Sequence, residues 1–216
     1  MARLTAILAT PFMRAYAVFF ACGVALCLFT TQDGLFRWSN SLHSPTGDAL
    51  APWLTLLGDG RTAALLPVVL WFVYRPLAWR AALALILTLA LVQLGKQILF
   101  PDALRPTAYF EAMGTRVNHL IQGVELYRNQ SFPSGHTAAA FAMAAILCLL
   151  RAPLPFAAVK PTTRQLWLLT GAFLVGYTRV YLAQHFFEDV VAGSLVGVTS
   201  VTLWIWAWPI PSDSHD

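Results

Sequence analysis

His185 and Asp189 stand four residues apart, the spacing that puts two side chains on one face of a helix. A carboxylate bonded to one imidazole nitrogen fixes the tautomer and leaves the other nitrogen free to attack an electrophile. Arg179, six residues before His185, reaches the same end of a helical bundle with a fork of donors suited to phosphate oxygens. A second group, Pro133-Ser134-Gly135-His136, opens an apolar run. Pro and Ser are helix-start signals, Ser134 is expected as an N-cap, and Gly135 lets a ligand approach the backbone. The free N–H groups of such a helix start form an anion site, with His136 beside the anion. The third group is Lys96, followed by Arg105-Pro106.

Taken singly, these groups also read as ordinary structure: a turn entering a helix, and an interfacial charge cluster holding a short loop. His136, His185 and Asp189 would also suit zinc. Lys96, Arg105 and Arg179 decide against it, because they would crowd a divalent cation with like charge. The same three cations are what a phosphate dianion needs, and they stabilise the charge on a five-coordinate transition state. Phosphate chemistry without a metal is expected.

The elements that position these residues belong in a membrane. The chain has 216 residues, 58% hydrophobic and 11% charged, against about 25% charged in soluble proteins. Its mean hydropathy is +0.63. Apolar residues cluster into six runs, at roughly 13–31, 62–75, 81–100, 136–150, 165–181 and 190–208, each close to what a spanning helix needs. The second is short, and either extends backwards through Ala51–Leu57 or leaves that stretch flat on the membrane. The predicted fold is all-α: a six-helix transmembrane bundle in a single domain, 1–216, with its active site at the outer end.

Arg14 at the start of the first run and the length of that run favour a span over a cleaved signal peptide. The net charge of +4 does not point to nucleic acid, since the arginines are scattered and the only lysines are Lys96 and Lys160. Cys22, Cys27 and Cys148 fall inside apolar runs, where a thiol is a small hydrophobe.

Orientation follows from the basic residues of short loops. With the N-terminus inside, Arg3, Arg14, Arg75, Arg80, Arg151, Lys160 and Arg164 are cytoplasmic. Once Lys96, Arg105 and Arg179 are set aside for chemistry, Arg37, Arg61, Arg116 and Arg128 remain outside. Eight of the ten acidic residues, and the two long connections Thr31–Arg61 and Pro101–Pro133, fall on that outer side. In the second connection, Arg116, His119, Glu125 and Arg128 either select a headgroup or are solvated loop polarity.

The order Lys96, Arg105-Pro106, Pro133-Ser134-Gly135-His136, then Arg179, His185 and Asp189 resembles the type 2 phosphatidic acid phosphatase superfamily, which includes vanadium haloperoxidases and glucose-6-phosphatase. Thr178-Arg179, five residues, His185, three residues and Asp189 match its third motif, with Thr for Ser. The resemblance spans nearly the whole chain. One departure concerns Lys96: eight residues separate it from Arg105, two more than in the family's first motif. Either Lys96 reaches the site through an altered turn around Pro101, or the phosphate relies more on the two arginines.

The resemblance implies that His185 attacks phosphorus to give a phosphohistidine, oriented by Asp189. His136 would protonate the leaving oxygen and then activate water. Lys96, Arg105, Ser134, the Gly135 amide and Arg179 would hold the phosphoryl oxygens, with no metal or organic cofactor. The expected partners are the bilayer and a lipid phosphate or pyrophosphate: undecaprenyl pyrophosphate, phosphatidylglycerophosphate, phosphatidic acid or lipid A. The expected place is a bacterial inner membrane, with the site facing outward. Two alternatives remain at this stage: a phosphotransferase that passes phosphate to a second lipid, and a lipid-phosphate or anion transporter.

Overall fold

Short polar caps start the first helices, and proline follows the cap where the missing N–H does no harm. In the computed structural model, which describes residues 2–73, 75–149 and 159–208, α1 (Ala2–Leu8) leads into α2 (Pro11–Phe29), whose Thr10 side chain accepts from the Met13 N–H. Thr31 caps α3 (Gln32–Ser41) and Ser44 caps α4 (Pro45–Leu54), which ends in a tight 3₁₀ turn, Thr55–Gly58. Then come α5 (Gly60–Val73), α6 (Arg75–Leu94) with a π turn at Gly95–Leu99, α7 (Pro106–Ala112), α8 (Gly135–Leu149), α9 (Pro161–Tyr181) and α10 (Phe187–Ala207). Among the described residues there is no strand.

Each of the six apolar runs coincides with one of the helices α2, α5, α6, α8, α9 and α10. By length and apolarity three helical stretches qualify as spans: α2, α6 through Leu99, and α10. The stretch Pro45–Gly58 together with α5 makes a fourth, bent by 53°. The run at Ala51–Leu57 is thus helical and joins α5 at a sharp bend, the geometry of a broken span or of a re-entrant loop. The bend falls at Asp59, whose carboxylate accepts the Arg61 N–H at 2.8 Å and restarts the helix. α8 is apolar but has only 15 residues, and the end of its predicted span at 150, like Arg151, lies outside the described residues.

α8 is the inner helix. Ala138, Ala140, Ala142, Ala144, Ala145, Phe141 and Ile146 are all buried, and small side chains let neighbouring backbones come close where lipid supplies no hydrophobic drive between helices. α10 lies against it through Gly193 and Gly197. A Cβ on Gly193 would stand 2.5 Å from the Ser134 carbonyl oxygen, and one on Gly197 would strike the Ala138 carbonyl oxygen. Buried hydroxyls are paired across helices: Tyr16 with Ser194 at 3.3 Å and Thr88 with Ser200 at 2.6 Å. α2 is peripheral, with Val18, Leu28 and Phe29 exposed, as a lipid-facing helix requires.

Gly193→Val forces α10 away from α8 at the level of Ser134. The expected cost is about 1–3 kcal/mol, read as a lower melting temperature in detergent. An unchanged midpoint would refute the close approach.

Candidate active site

The glycine contact brings the start of α10 against the start of α8, where the Ser134 N–H donates to the Asp189 carbonyl at 3.0 Å. The second and third sequence groups are thus joined backbone to backbone. The Ser134 hydroxyl, fully buried, accepts from the Thr137 N–H at 3.4 Å and the Thr137 hydroxyl at 2.9 Å. Its own proton is left for another acceptor.

A tight turn between α9 and α10 carries His185. Gln184 and His185 both donate their N–H to the Arg179 carbonyl, at 2.9 and 3.1 Å, and Ala183 adopts a φ of 53°. The turn aims His185 inward, 1% exposed. Its Nδ1 lies 3.1 Å from Asp189 Oδ2, which also accepts the Phe186 N–H at 2.9 Å and the Ser131 hydroxyl at 2.5 Å. Nδ1–H therefore faces a carboxylate and Nε2 keeps the lone pair. Burial, then Arg105, Arg179, Lys96 and His136, hold the His185 pKa well below the ordinary histidine range. These surroundings favour the neutral imidazole.

The cations converge from three elements. Arg179, in the last turn of α9, donates from one terminal nitrogen to Thr55 Oγ1 at 2.8 Å, while its Nε is buried without a hydrogen-bond partner. An unpaired buried guanidinium donor costs free energy that an anion in the site would recover. Arg105 caps the start of α7. It donates through Nε to the Asn129 carbonyl at 3.0 Å and through a terminal nitrogen to the Gln184 carbonyl at 3.0 Å. Lys96 Nζ donates to the Gln130 carbonyl at 2.9 Å.

Lys96 lines one cavity together with Arg105, Gly135 and His136. The two added residues are absorbed by the turn after the π turn, where the Ala103 N–H donates to the Phe100 carbonyl at 3.3 Å. That cavity, about 640 Å³, continues from these polar groups down an apolar wall built by Ala63 and Pro67 of α5, Leu85 and Leu89 of α6 and Ala139 of α8.

Three contributors were not singled out from the sequence. Ser131 holds Asp189, and Thr55 holds Arg179. Asp59 Oδ2 stands 3.8 Å from His136 Nε2 at the bend before α5. Asp59 alone had a visible signal, as a carboxylate interrupting an apolar run. In the connection before α8, Arg128 pairs with Glu111 at 2.8 Å on the surface and Glu125 accepts the Tyr127 hydroxyl at 3.0 Å. His119 turns away to Asp48 at 2.9 Å.

Comparison with known proteins gives the family of the chain. The chain is 25% identical to the lipid A 4'-phosphatase of Bacteroides thetaiotaomicron over 169 residues, 76% of this chain and 70% of that one. A stretch of 87 residues is 34% identical to the bacitracin transport permease protein BcrC of Bacillus licheniformis, covering 40% of this chain and 38% of that protein. Among solved structures, LpxE of Aquifex aeolicus superposes with a TM-score of 0.63 at 27% identity, over 82% of this chain and 96% of that one. A PAP2-type phosphatidylglycerolphosphate phosphatase from Bacillus subtilis gives a TM-score of 0.63 at 22% identity over 96% of each chain, a likeness of fold. Residues 77–211, which hold every motif named above, match the PAP2 superfamily, and the chain belongs to that superfamily.

Proposed function

We propose that this integral membrane protein is a phosphatase that removes the terminal phosphate of a lipid phosphate or pyrophosphate through a phosphohistidine on His185. The observation that carries the reading is the cavity that holds Lys96, Arg105 and His136 and whose wall along α5, α6 and α8 is mainly apolar. Such a shape suits a phosphorylated headgroup joined to a hydrocarbon tail. The buried, unpaired Arg179 Nε adds a donor that a phosphoryl oxygen would satisfy.

In the first step His185 Nε2 attacks phosphorus, the bond to the leaving lipid oxygen breaks, and His136 gives that oxygen a proton. Asp189 stabilises the positive charge that develops on the His185 ring. In the second step water attacks the phosphohistidine, His136 takes its proton, and inorganic phosphate leaves with His185 restored. Arg105, Arg179 and Lys96 balance the charge of the phosphoryl oxygens in both steps, with the Ser134 hydroxyl and the Gly135 amide at the start of α8 as further donors. No step calls for a metal.

Similarity to a lipid A 4'-phosphatase supports trying a lipid A phosphate first, together with phosphatidylglycerophosphate, undecaprenyl pyrophosphate and phosphatidic acid. The test is inorganic phosphate release from each of these in detergent micelles with a chelator present. Release from at least one is expected, and a folded protein that releases none overturns the reading.

The apolar runs support six spans, and the loop charges support an orientation with the site facing outward. Arg116→Cys, in the exposed connection before α8, should then react with a membrane-impermeant maleimide added to intact spheroplasts. Labelling only after lysis would reverse the orientation.

A further inference from the structure

At the same end of the bundle, but apart from the phosphate-handling residues, two neighbouring side chains meet a third from a distant part of the chain. His43 follows α3, Asp48 lies in the first turn of α4, and His119 belongs to the connection between α7 and α8. One donor atom from each lies within 4.8 Å of the others. His43 Nδ1 is 2.6 Å from Asp48 Oδ1, and His119 Nε2 is 2.9 Å from Asp48 Oδ2. We propose that His43, Asp48 and His119 bind a divalent cation of the zinc type at a site separate from the catalytic cluster.

The charge argument that excludes a metal beside Lys96, Arg105 and Arg179 runs the other way here. The groups acting on the Asp48 charge are His43, His119 and Tyr181, with no arginine or lysine among them. Two imidazole nitrogens and one carboxylate oxygen are a donor set for zinc or a neighbouring late transition metal, with a further position left for water. The exposures suit entry and retention: the His119 side chain is 43% exposed, that of Asp48 27% and that of His43 6%.

Surrounding groups hold the three side chains together. The Tyr181 hydroxyl donates to Asp48 Oδ1 at 2.8 Å. The Asn40 amide grips the His119 backbone twice, accepting its N–H at 3.0 Å and donating to its carbonyl at 2.9 Å. Without an ion, both ring N–H groups donate to the Asp48 carboxylate. A cation takes the place of those two protons, and each neutral ring then carries its proton on the other nitrogen. For His43 that nitrogen is Nε2, 3.2 Å from Asn40 Nδ2, so the amide must turn away and release His119. Metal binding thus exchanges a hydrogen-bonded hold on the connection for a coordinate one. Tyr181, two residues beyond Arg179 on α9, links the cluster to the catalytic end.

The test uses the full chain without a polyhistidine tag, purified in detergent, stripped with chelator and titrated with Zn²⁺ alone by calorimetry and elemental analysis. One equivalent should bind and raise the melting temperature. His119→Ala and Asp48→Asn should each weaken binding at least tenfold, and His136→Ala should leave it unchanged. No stoichiometric uptake by the folded protein overturns the proposal, as does uptake indifferent to His119→Ala and Asp48→Asn, or uptake lost in His136→Ala. A melting temperature that follows pH but not Zn²⁺ also overturns it, in favour of a proton-held clasp. None of these outcomes depends on phosphate release, so this site and the proposed activity stand or fall separately.

Discussion

His185→Ala lowers phosphate release by at least about 10⁴-fold on any lipid phosphate that the intact protein hydrolyses, the scale of losing a covalent nucleophile. The side chain is buried with Nδ1 committed to Asp189, so no exposed neighbour can replace its second nitrogen. Intact protein quenched during turnover of substrate labelled in the terminal phosphate should carry label that is stable in base and lost in acid, and the variant should carry none. Equal release by both proteins would remove His185 as nucleophile. Transport resting on anion binding alone would survive the substitution, which separates that alternative from catalysis. A phosphotransferase would keep the labelled intermediate but release no free phosphate when an acceptor lipid is present. The downward shift of the His185 pKa, set mainly by burial and then by the nearby cations, has a direct corollary. On acidification through the ordinary histidine range the nucleophile stays unprotonated in the free enzyme.

The second large effect is expected from Asp189→Asn. A single oxygen, Asp189 Oδ2, receives the Phe186 N–H, the Ser131 hydroxyl and His185 Nδ1. An amide keeps the shape and loses the charge. If its oxygen occupies that position, the two donors at Phe186 and Ser131 are retained, but the positive ring formed as His185 attacks phosphorus is no longer balanced. If its nitrogen does, three donors face a donor. Either way kcat should fall by about 10²- to 10⁴-fold. KM should barely move, because Asp189 stands behind His185 rather than against the phosphate. A large rise in KM with kcat unchanged would mean that Asp189 acts on the binding of substrate instead.

What the sequence made legible and what it hid divide along a physical line. The six apolar runs coincide with helices because each is a local feature, a stretch of side chains that lipid or the bundle interior must accept. The pairing of His185 with Asp189 was likewise local, although His185 lies in the turn before α10 and meets Asp189 across the N-cap rather than along one helical face. Lys96 was ambiguous because motif spacing counts residues along the chain, whereas reach depends on a turn. The chain between Lys96 and Arg105 folds back through Phe100–Ala103, and both residues end on one cavity. Ser131 and Thr55 could not be read at all. A hydroxyl carries little information by itself, and theirs becomes specific only when α10 sets Asp189, and α9 sets Arg179, beside them. The same holds for His43 and His119, whose ring centroids come within 3.9 Å although one follows α3 and the other precedes α8.

The cavity between α5, α6 and α8 is lined in part by Ile86 and Leu89, side chains that are 59% and 57% exposed. An opening on that side of the bundle would be lateral, towards the hydrocarbon. A substrate arriving that way never leaves the bilayer, and its encounter with Lys96 and Arg105 is a search in two dimensions. The concentration that governs its turnover is its mole fraction in the leaflet, so diluting the membrane with inert lipid would slow the reaction while diluting the surrounding water would not.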